Sequence, residues 1–319
     1  MADNFKALLL ELGPNKLTRE FLNKNKDWVE ASTRHFDVSL NFIIQQTLLH
    51  LPAYSEYDIR SRGEIIKNDI GKKLSALSTD YMSHYRYLSV RSGIDDLTSG
   101  LSLKGRNNVY IDDCGVVTPI SYDHVKSKYA KEIQESLHYI RKAREDGVLH
   151  YGLYLPDKEV PYATVSFSIC KRGYQVDALN RLIGEDLKPS QVLSMTRAFA
   201  FDGAPRNSMS KLFYLSHEYI KRVFPDCRAI VTALNPYLQF SGSVFSGSSY
   251  APYALSPMEY WYNKEGFYVP RSEGLYRQRS TTPPIVWLVH GLNPEIAVSI
   301  ENLDVKDVIN ITSEEYGNG

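Results

Sequence analysis

No apolar run in the chain approaches the roughly 18 residues that cross a bilayer, so the sequence predicts no membrane span. Cysteine is nearly absent. Cys114, Cys170 and Cys227 are scattered and odd in number, which argues against a disulfide framework or a zinc ribbon and for reduced intracellular thiols. Neither an HxxxH nor a CxxC spacing occurs, so a tight structural metal site is not expected. A cleavable leader is missing too. The opening MADNFKALLLELGPNK has a short apolar stretch, but it carries acidic residues and no small-residue cleavage site, and reads as mature protein. Net charge is also lacking, with 37 basic residues against 37 acidic ones. Nucleic-acid binders usually carry a basic excess, so such a partner would need a local patch.

What remains is 319 residues, 43% hydrophobic and 23% charged. That composition is soluble and globular, and the length suits two domains or one large domain with an appendage. The 23 tyrosines stand out. They fit either a tyrosine-rich core or platforms on which bases stack.

Residues 1–105 read as a helical region ending in a Gly, Ser and charge-rich linker, RSGIDDLTSGLSLKGRNN. Within it, about 17–52 has the form of a helix-turn-helix. Trp28, Val29 and Thr33 share one helical face, HFDVS makes a turn with Ser39 as N-cap, and a second helix follows. On that helix Asn41, Gln45 and Gln46 would face outward and could read adenine edges. An ordinary helical hairpin is the alternative.

From residue 106 to 319 the texture alternates between strands and helices. NVYIDD, CGVVTPI, VLHYGLYL, YATVSFSIC, QVLSMTRAFAF, CRAIVTAL, PMEYWYN and PPIVWLVHG read as strands. YDHVKSKYAKEIQESLHYIRKAREDG reads as one long helix ending at Gly147. Ser208 to Phe224 reads as another, with Leu212, Phe213, Ser216, Tyr219, Ile220 and Val223 at helical spacing. Runs of strands with a few helices predict an α+β or α/β fold and not a helical bundle, α+β being the class expected.

One junction carries chemistry. In FDGAPRNSMSK a strand ends at Phe201 and a helix begins near Ser208. The first N–H groups of a helix lack internal partners and attract anions. Arg206, Asn207, Ser208, Ser210 and Lys211 cluster there. A capped helix with a surface arginine is the plainer reading.

The order of strand meander, phosphate-binding turn, helix and strand resembles the GNAT acyltransferases, with P-R-N-S-x-S where that fold is usually glycine rich. Residues 195–250 resemble more closely the phage Mom DNA-modification family, a divergent GNAT branch. Asp202, Pro205 to Ser208 with Ser210, the P-D-x-R turn at Pro225 to Arg228, Asn235-Pro236 and Ser241-Gly242 carry the resemblance. It implies a mostly antiparallel central sheet flanked by helices and an enzyme of the bacterial host cytoplasm. That enzyme would convert the exocyclic amine of adenine in double-stranded DNA to a carbamoylmethyl (acetamido) derivative, shielding phage DNA from restriction.

By the same resemblance acetyl-CoA is the donor, held at Arg206, Asn207, Ser208, Ser210 and Lys211, and an iron requirement is implied. Phe245 stands where many GNAT enzymes place a tyrosine acid, so Tyr250, Ser241 or Ser246 would act instead. Asp202 could orient the amine or accept its proton, or else serve the helix dipole. Tyr122, Asp123 and His124 could meet the target base or ligate a metal, with His124 as a further catalytic candidate. Tyr151, Tyr154, Tyr250 and Tyr253 could stack on a flipped adenine. Two other readings stay open: an acyltransferase acting on a protein, tRNA or small amine, and a non-catalytic DNA-binding regulator.

Overall fold

The computed structural model describes residues 7–8, 12, 16–54, 59–97, 102–103, 109–111, 117–147, 149–240, 242–279, 282–303 and 307–311. Helices α1 (Lys16–Lys24), α2 (Lys26–Phe36) and α3 (Leu40–His50) come first. Asp37 adopts the left-handed conformation and closes α2, its N–H reaching Thr33 O. Ser39 then caps α3, with Oγ accepting from Phe42 N at 3.2 Å. The turn and the cap are where the sequence puts them.

The outward amides are not. Phe42, Ile43, Gln46, Thr47, Leu48, Leu49 and His50 are all buried. A helix enclosed on nearly all sides is a core helix, not one free to enter a DNA groove. Gln46 is only 3% exposed and Gln45 is half-buried, leaving Asn41 alone in solvent. The cause is tertiary: the C-terminal strands pack on α3. Tyr262 donates its hydroxyl to Leu49 O at 3.0 Å, and Tyr268 N donates to His50 Nε2 at 3.3 Å.

Helix α4 (Ile59–Ser92) has 34 residues, about 51 Å of helix. Ile66, Ile70, Leu74, Tyr81 and Leu88 recur at helical spacing on its buried face. Gly93, at φ 71°, ends it. The apolar core runs without a break from Phe21, Ile43 and Ile70 in these helices to Tyr151, Phe167 and Leu288 beyond them.

Strands β1 (Ser102–Leu103), β2 (Val109–Ile111) and β3 (Val117–Pro119) form a small antiparallel sheet. The main sheet begins with β4 (Ser121–His124), β5 (Leu149–Tyr154), β6 (Ala163–Ile169), β7 (Val192–Ala200) and β8 (Ala229–Leu234). After it come β9 (Ala251–Ser256) and a three-stranded insert, β10 (Glu259–Tyr262), β11 (Tyr268–Val269) and β12 (Tyr276–Arg279). Strands β13 (Ile285–Gly291) and β14 (Ile309–Asn310) complete the main sheet. Its order is β14-β9-β13-β8-β7-β6-β5-β4. Every pairing is antiparallel except β7 with β8 and β9 with β14.

Helix α5 (Ser127–Glu132) passes into a π turn at Ile133–Leu137. The helix expected to reach Gly147 therefore stops at His138, whose N–H reaches back to Ile133 O at 2.9 Å and widens the last turn. Residues 138–147 are irregular instead. Helix α6 (Gly173–Ile183) was not anticipated from the sequence. Helix α7 (Ser208–Val223) matches expectation, while α8 (Ser243–Ser246) is a single turn, and α9 (Pro294–Glu301) follows β13. Among the described residues no helix is long and apolar enough to cross a membrane.

Candidate active site: a splayed pair of strands

Parallel strands need a crossover, and α7 supplies it between β7 and β8. Their pairing is short. Val192 to Met195 align with Ala229 to Thr232, and there the ladder ends. Yet β7 continues beside β6 to Ala200, and β8 continues beside β13 to Leu234. The two strands diverge, and Thr232 Oγ1 donates to Met195 O at 2.9 Å at the apex.

A bulge sits at the point of divergence. Phe167 pairs with Met195 and Ser166 with Arg197, so Thr196 is the extra residue. A bulge bends its strand and increases the local twist, and it lies where the two strands part. It also changes which side chain faces which way. Tyr151, Val165, Phe167 and Met195 lie on the α7 side, as the 4.8 Å contact of Tyr151 with Tyr219 of α7 shows. Plain alternation would put Arg197 there as well. The bulge sends it to the opposite side with Ser166, whose hydroxyl accepts from Gln134 Nε2 at 2.8 Å.

Between the splayed strands lies a cavity of about 640 Å³. Met209 and Phe213 of α7 line one side, with Phe245. His138, Tyr139, Arg197 and Trp261 line the other. Two bonds from Lys142, to Ser272 Oγ at 2.9 Å and Glu273 Oε1 at 2.6 Å, tie the irregular 138–147 segment to the β11–β12 turn. Among the described lining residues Arg144, Lys171, Arg172, Arg197 and Arg271 stand against Asp146 and Glu259. The net-neutral chain thus concentrates positive charge here.

The charge states are set by burial. Desolvation first, and the Arg197 charge second, hold His138 well below the ordinary histidine range. Its Nδ1 accepts from Ile140 N at 3.2 Å, so the ring is neutral with its proton on Nε2. Burial raises the Tyr139 phenol. It also lowers Arg197, whose Nε and Nη2 donate to Lys142 O at 3.3 and 3.1 Å and whose Nη1 donates to Thr196 O at 2.7 Å.

At the start of α7, Arg206 is exposed and its carbonyl accepts from Leu103 N at 3.1 Å. Asn207 is the N-cap at φ 68°, and its Nδ2 reaches Leu103 O at 3.5 Å. Ser208 is buried and donates its hydroxyl to Pro205 O at 2.7 Å, so it locks the loop. Ser210 is half-buried, and burial lowers the ammonium of buried Lys211.

Of residues 206–211 only Met209 lines the cavity; Arg206, Asn207, Ser208, Ser210 and Lys211 do not, and the other expected site residues also lie away from it. Tyr250 is 1% exposed, and its hydroxyl meets His217 Nε2 at 3.0 Å. Tyr151, Tyr154 and Tyr253 are equally buried. None of the four has a ring face free for a base, which corrects that expectation and favours the tyrosine-rich core. Tyr122 and His124 sit on edge strand β4, three strands and about 14 Å from β7. Tyr122 stacks on Tyr151 at 5.1 Å and donates to Ser216 Oγ at 3.3 Å. His124 Nε2 pairs with Tyr151 OH at 3.2 Å. Asp202 faces α4, its backbone N–H on Tyr85 OH at 3.3 Å. The residue is exposed by area, yet the helices around its carboxyl raise that group's pKa, opposed by a hydrogen bond from Ser39. Ser246 donates to Ser243 O at 3.2 Å. Ser241 lies outside the described residues, as does Cys114. Arg197, His138, Tyr139 and Trp261 were missed. One signal was available: an arginine inside the otherwise apolar strand QVLSMTRAFAF.

An antiparallel meander that ends in a parallel, splayed pair joined by a helix defines a GNAT-like fold. The chain belongs to the Mom protein family, whose model matches residues 120–299. No curated protein matches it. Among solved structures, Arabidopsis thaliana NAA60 in complex with acetyl-CoA is similar at 10% identity and TM-score 0.38, over 54% of this chain and 99% of that one. An aminoglycoside N(6')acetyltransferase from Legionella pneumophila gives 10% and 0.29, over 54% and 92%. Malonyl-CoA decarboxylase from Rhodopseudomonas palustris gives 10% and 0.30, over 97% and 83%. Such scores carry no inference, and the fold stands on the register itself.

Proposed function

We propose that this chain modifies the exocyclic amine of adenine in double-stranded DNA, taking a two-carbon unit from acetyl-CoA. The observation that carries the reading is the splay cavity of a Mom-family chain, lined by α7 on one side and by residues 138–147 and β10 on the other. The donor's phosphates lie at the start of α7, where backbone N–H groups and Arg206 offer an anion site. Its pantetheine arm fills the gap between β7 and β8. The base, flipped from the duplex, enters from the basic side between residues 138–147 and β10. There Trp261, beneath the Arg277 guanidinium, and Tyr139, stacked on His138 at 4.5 Å, line the cavity. Neutral His138, hydrogen-bonded through Nδ1, is the cavity-lining histidine.

The product implied by the family is the carbamoylmethyl amine, which protects phage DNA from restriction. Relative to a plain acetyl transfer it requires an ammonia-equivalent nitrogen donor that displaces CoA and a two-electron oxidant that converts the acetyl C–H to the C–N bond, both supplied from outside this chain. No step is routed through iron. Among the described residues no three His, Cys, Asp or Glu side chains gather to hold a metal.

The test is mass spectrometry of nucleosides from plasmid DNA after expression in bacteria. A deoxyadenosine heavier by a carbamoylmethyl unit establishes the reading. A plain acetyl adduct, which has one nitrogen fewer, would keep the acceptor and change the chemistry. Unmodified DNA from abundant folded protein would overturn the reading. Modified tRNA nucleosides in the same sample would redirect it to another acceptor.

A further inference from the structure

Arginine 197 is the residue the fold goes furthest to place. The Thr196 bulge moves it off the α7 side of β7, and the three carbonyl bonds to Lys142 and Thr196 fix its plane. Among the described residues no carboxylate forms an ion pair with it. Arginine carries five N–H donors, so among the described residues one N–H on each terminal nitrogen is left over. Such a fork suits a two-oxygen anion. A guanidinium desolvated beside a cavity is costly unless an anion completes it. The cavity around it, with Arg144 and Arg271, has the matching sign. The start of α7 lies on the other side of the sheet, so Arg197 serves a different anion from the donor's pyrophosphate.

We propose that Arg197 holds a backbone phosphate of the DNA strand whose base occupies the cavity. This rests on the reading of DNA as acceptor. The phosphate then fixes the depth to which the nucleotide enters. Held between a backbone anchor and the side chains of Tyr139 and Trp261, the amine is set against the donor. The role is one of positioning, so no proton transfer is assigned to Arg197.

The experiment measures binding of the full chain to a duplex oligonucleotide carrying a mismatched adenine, which lowers the cost of flipping, over a series of salt concentrations. Arg197→Gln should weaken binding about ten- to a hundredfold and flatten the plot of log affinity against log salt by about one phosphate. Arg197→Lys should restore the slope but only part of the affinity, because a point charge lacks the fork. Acetyl-CoA affinity, measured on the same proteins, should not change. Equal weakening toward DNA and acetyl-CoA at an unaltered slope would overturn the inference and leave Arg197 a clamp on residues 138–147. Loss of acetyl-CoA binding alone would overturn it by giving the anion to the donor. Should Arg197→Gln fail to fold, Arg197→Lys decides, and wild-type affinity in that variant overturns the fork. A wild-type chain that modifies adenine yet shows no slope change on substitution removes this inference and spares the function. A wild-type chain that binds no DNA removes both.

Discussion

The two sides of the splay are built in opposite ways. On the α7 side the wall comes from one continuous stretch, β7 running through residues 201–207 into the helix. Its polar groups are local and partly exposed, and Arg206 stands in solvent. On the other side the site is assembled from residues 138–147, a bulged position in β7 and the β10–β12 insert. Two of its inner titratable groups, His138 and Arg197, are desolvated. One side is a motif, the other a product of tertiary packing. The contrast fits the proposed division, in which a donor end meets a fixed phosphate pattern and an acceptor end sets specificity.

The bulge is the hinge of that contrast, so removing it has the largest expected effect. Deleting Thr196 would place Arg197 directly after Met195, so alternation keeps it on the Ser166 side while the bend and twist of the bulge are lost. The gap between β7 and β8 should then narrow, and the folded variant should no longer bind acetyl-CoA in calorimetry. A deletion variant that binds acetyl-CoA as the wild type does would mean that the bulge does not open the strands.

Acid has the next largest expected effect, and it acts on both sides. His50 is buried, with Nδ1 on Gln46 O at 2.7 Å and Nε2 accepting from Tyr268 N, next to the cavity wall. Burial lowers its pKa to about 4. The folded value lies below the unfolded one, so the unfolded chain takes the proton first. Stability is intact above about pH 6.5 and falls as the pH drops toward 4, by about 2 kcal/mol at pH 5 from this residue alone. His138 and His217, also lowered by burial, act in the same direction. Thermal melts of wild type and His50→Gln from pH 7 to 5 should converge. Parallel curves would show that His50 carries none of the acid sensitivity.

Much of the α7 side was legible in the sequence because its physics is local. The strand ending near Phe201, the helix from Ser208, and the Ser39 cap of α3 all follow from neighbours within a few residues. The opposite side was not legible, since its signals are long-range. The π turn after Glu132 and the irregular run beyond it are held by Arg197 on Lys142, 55 positions away. Gln46 reads as an outward amide until β10 and β11 cover α3. Nothing within reach of Thr196 in the chain announces a bulge; only the register with β6 does.

Two substitutions of similar size should sort the sides by ligand. Arg206→Ala should weaken acetyl-CoA binding about tenfold, the loss of one charge-assisted contact, and leave DNA affinity unchanged. Trp261→Ala should do the reverse, with about 1–3 kcal/mol lost on the base and none on the donor. Calorimetry with each ligand gives four numbers. If either variant weakens both ligands equally, the division of the cavity into donor and acceptor ends is wrong.

The smallest effect is expected at Tyr250. Its hydroxyl is spent on His217, whose ring stacks on His290 at 4.1 Å, and burial raises its pKa well above the ordinary phenol. Phe245 stands between it and the cavity, the two rings 5.5 Å apart. A phenol held in this way reaches no leaving thiolate. Tyr250→Phe should therefore cost about 1 kcal/mol of stability, one buried hydrogen bond, while the yield of modified deoxyadenosine per folded molecule stays at the wild-type level. A steep fall in yield with stability preserved would bring the His217–Tyr250 pair into the chemistry. It would also require α8 to move, because as it stands Phe245 closes the path.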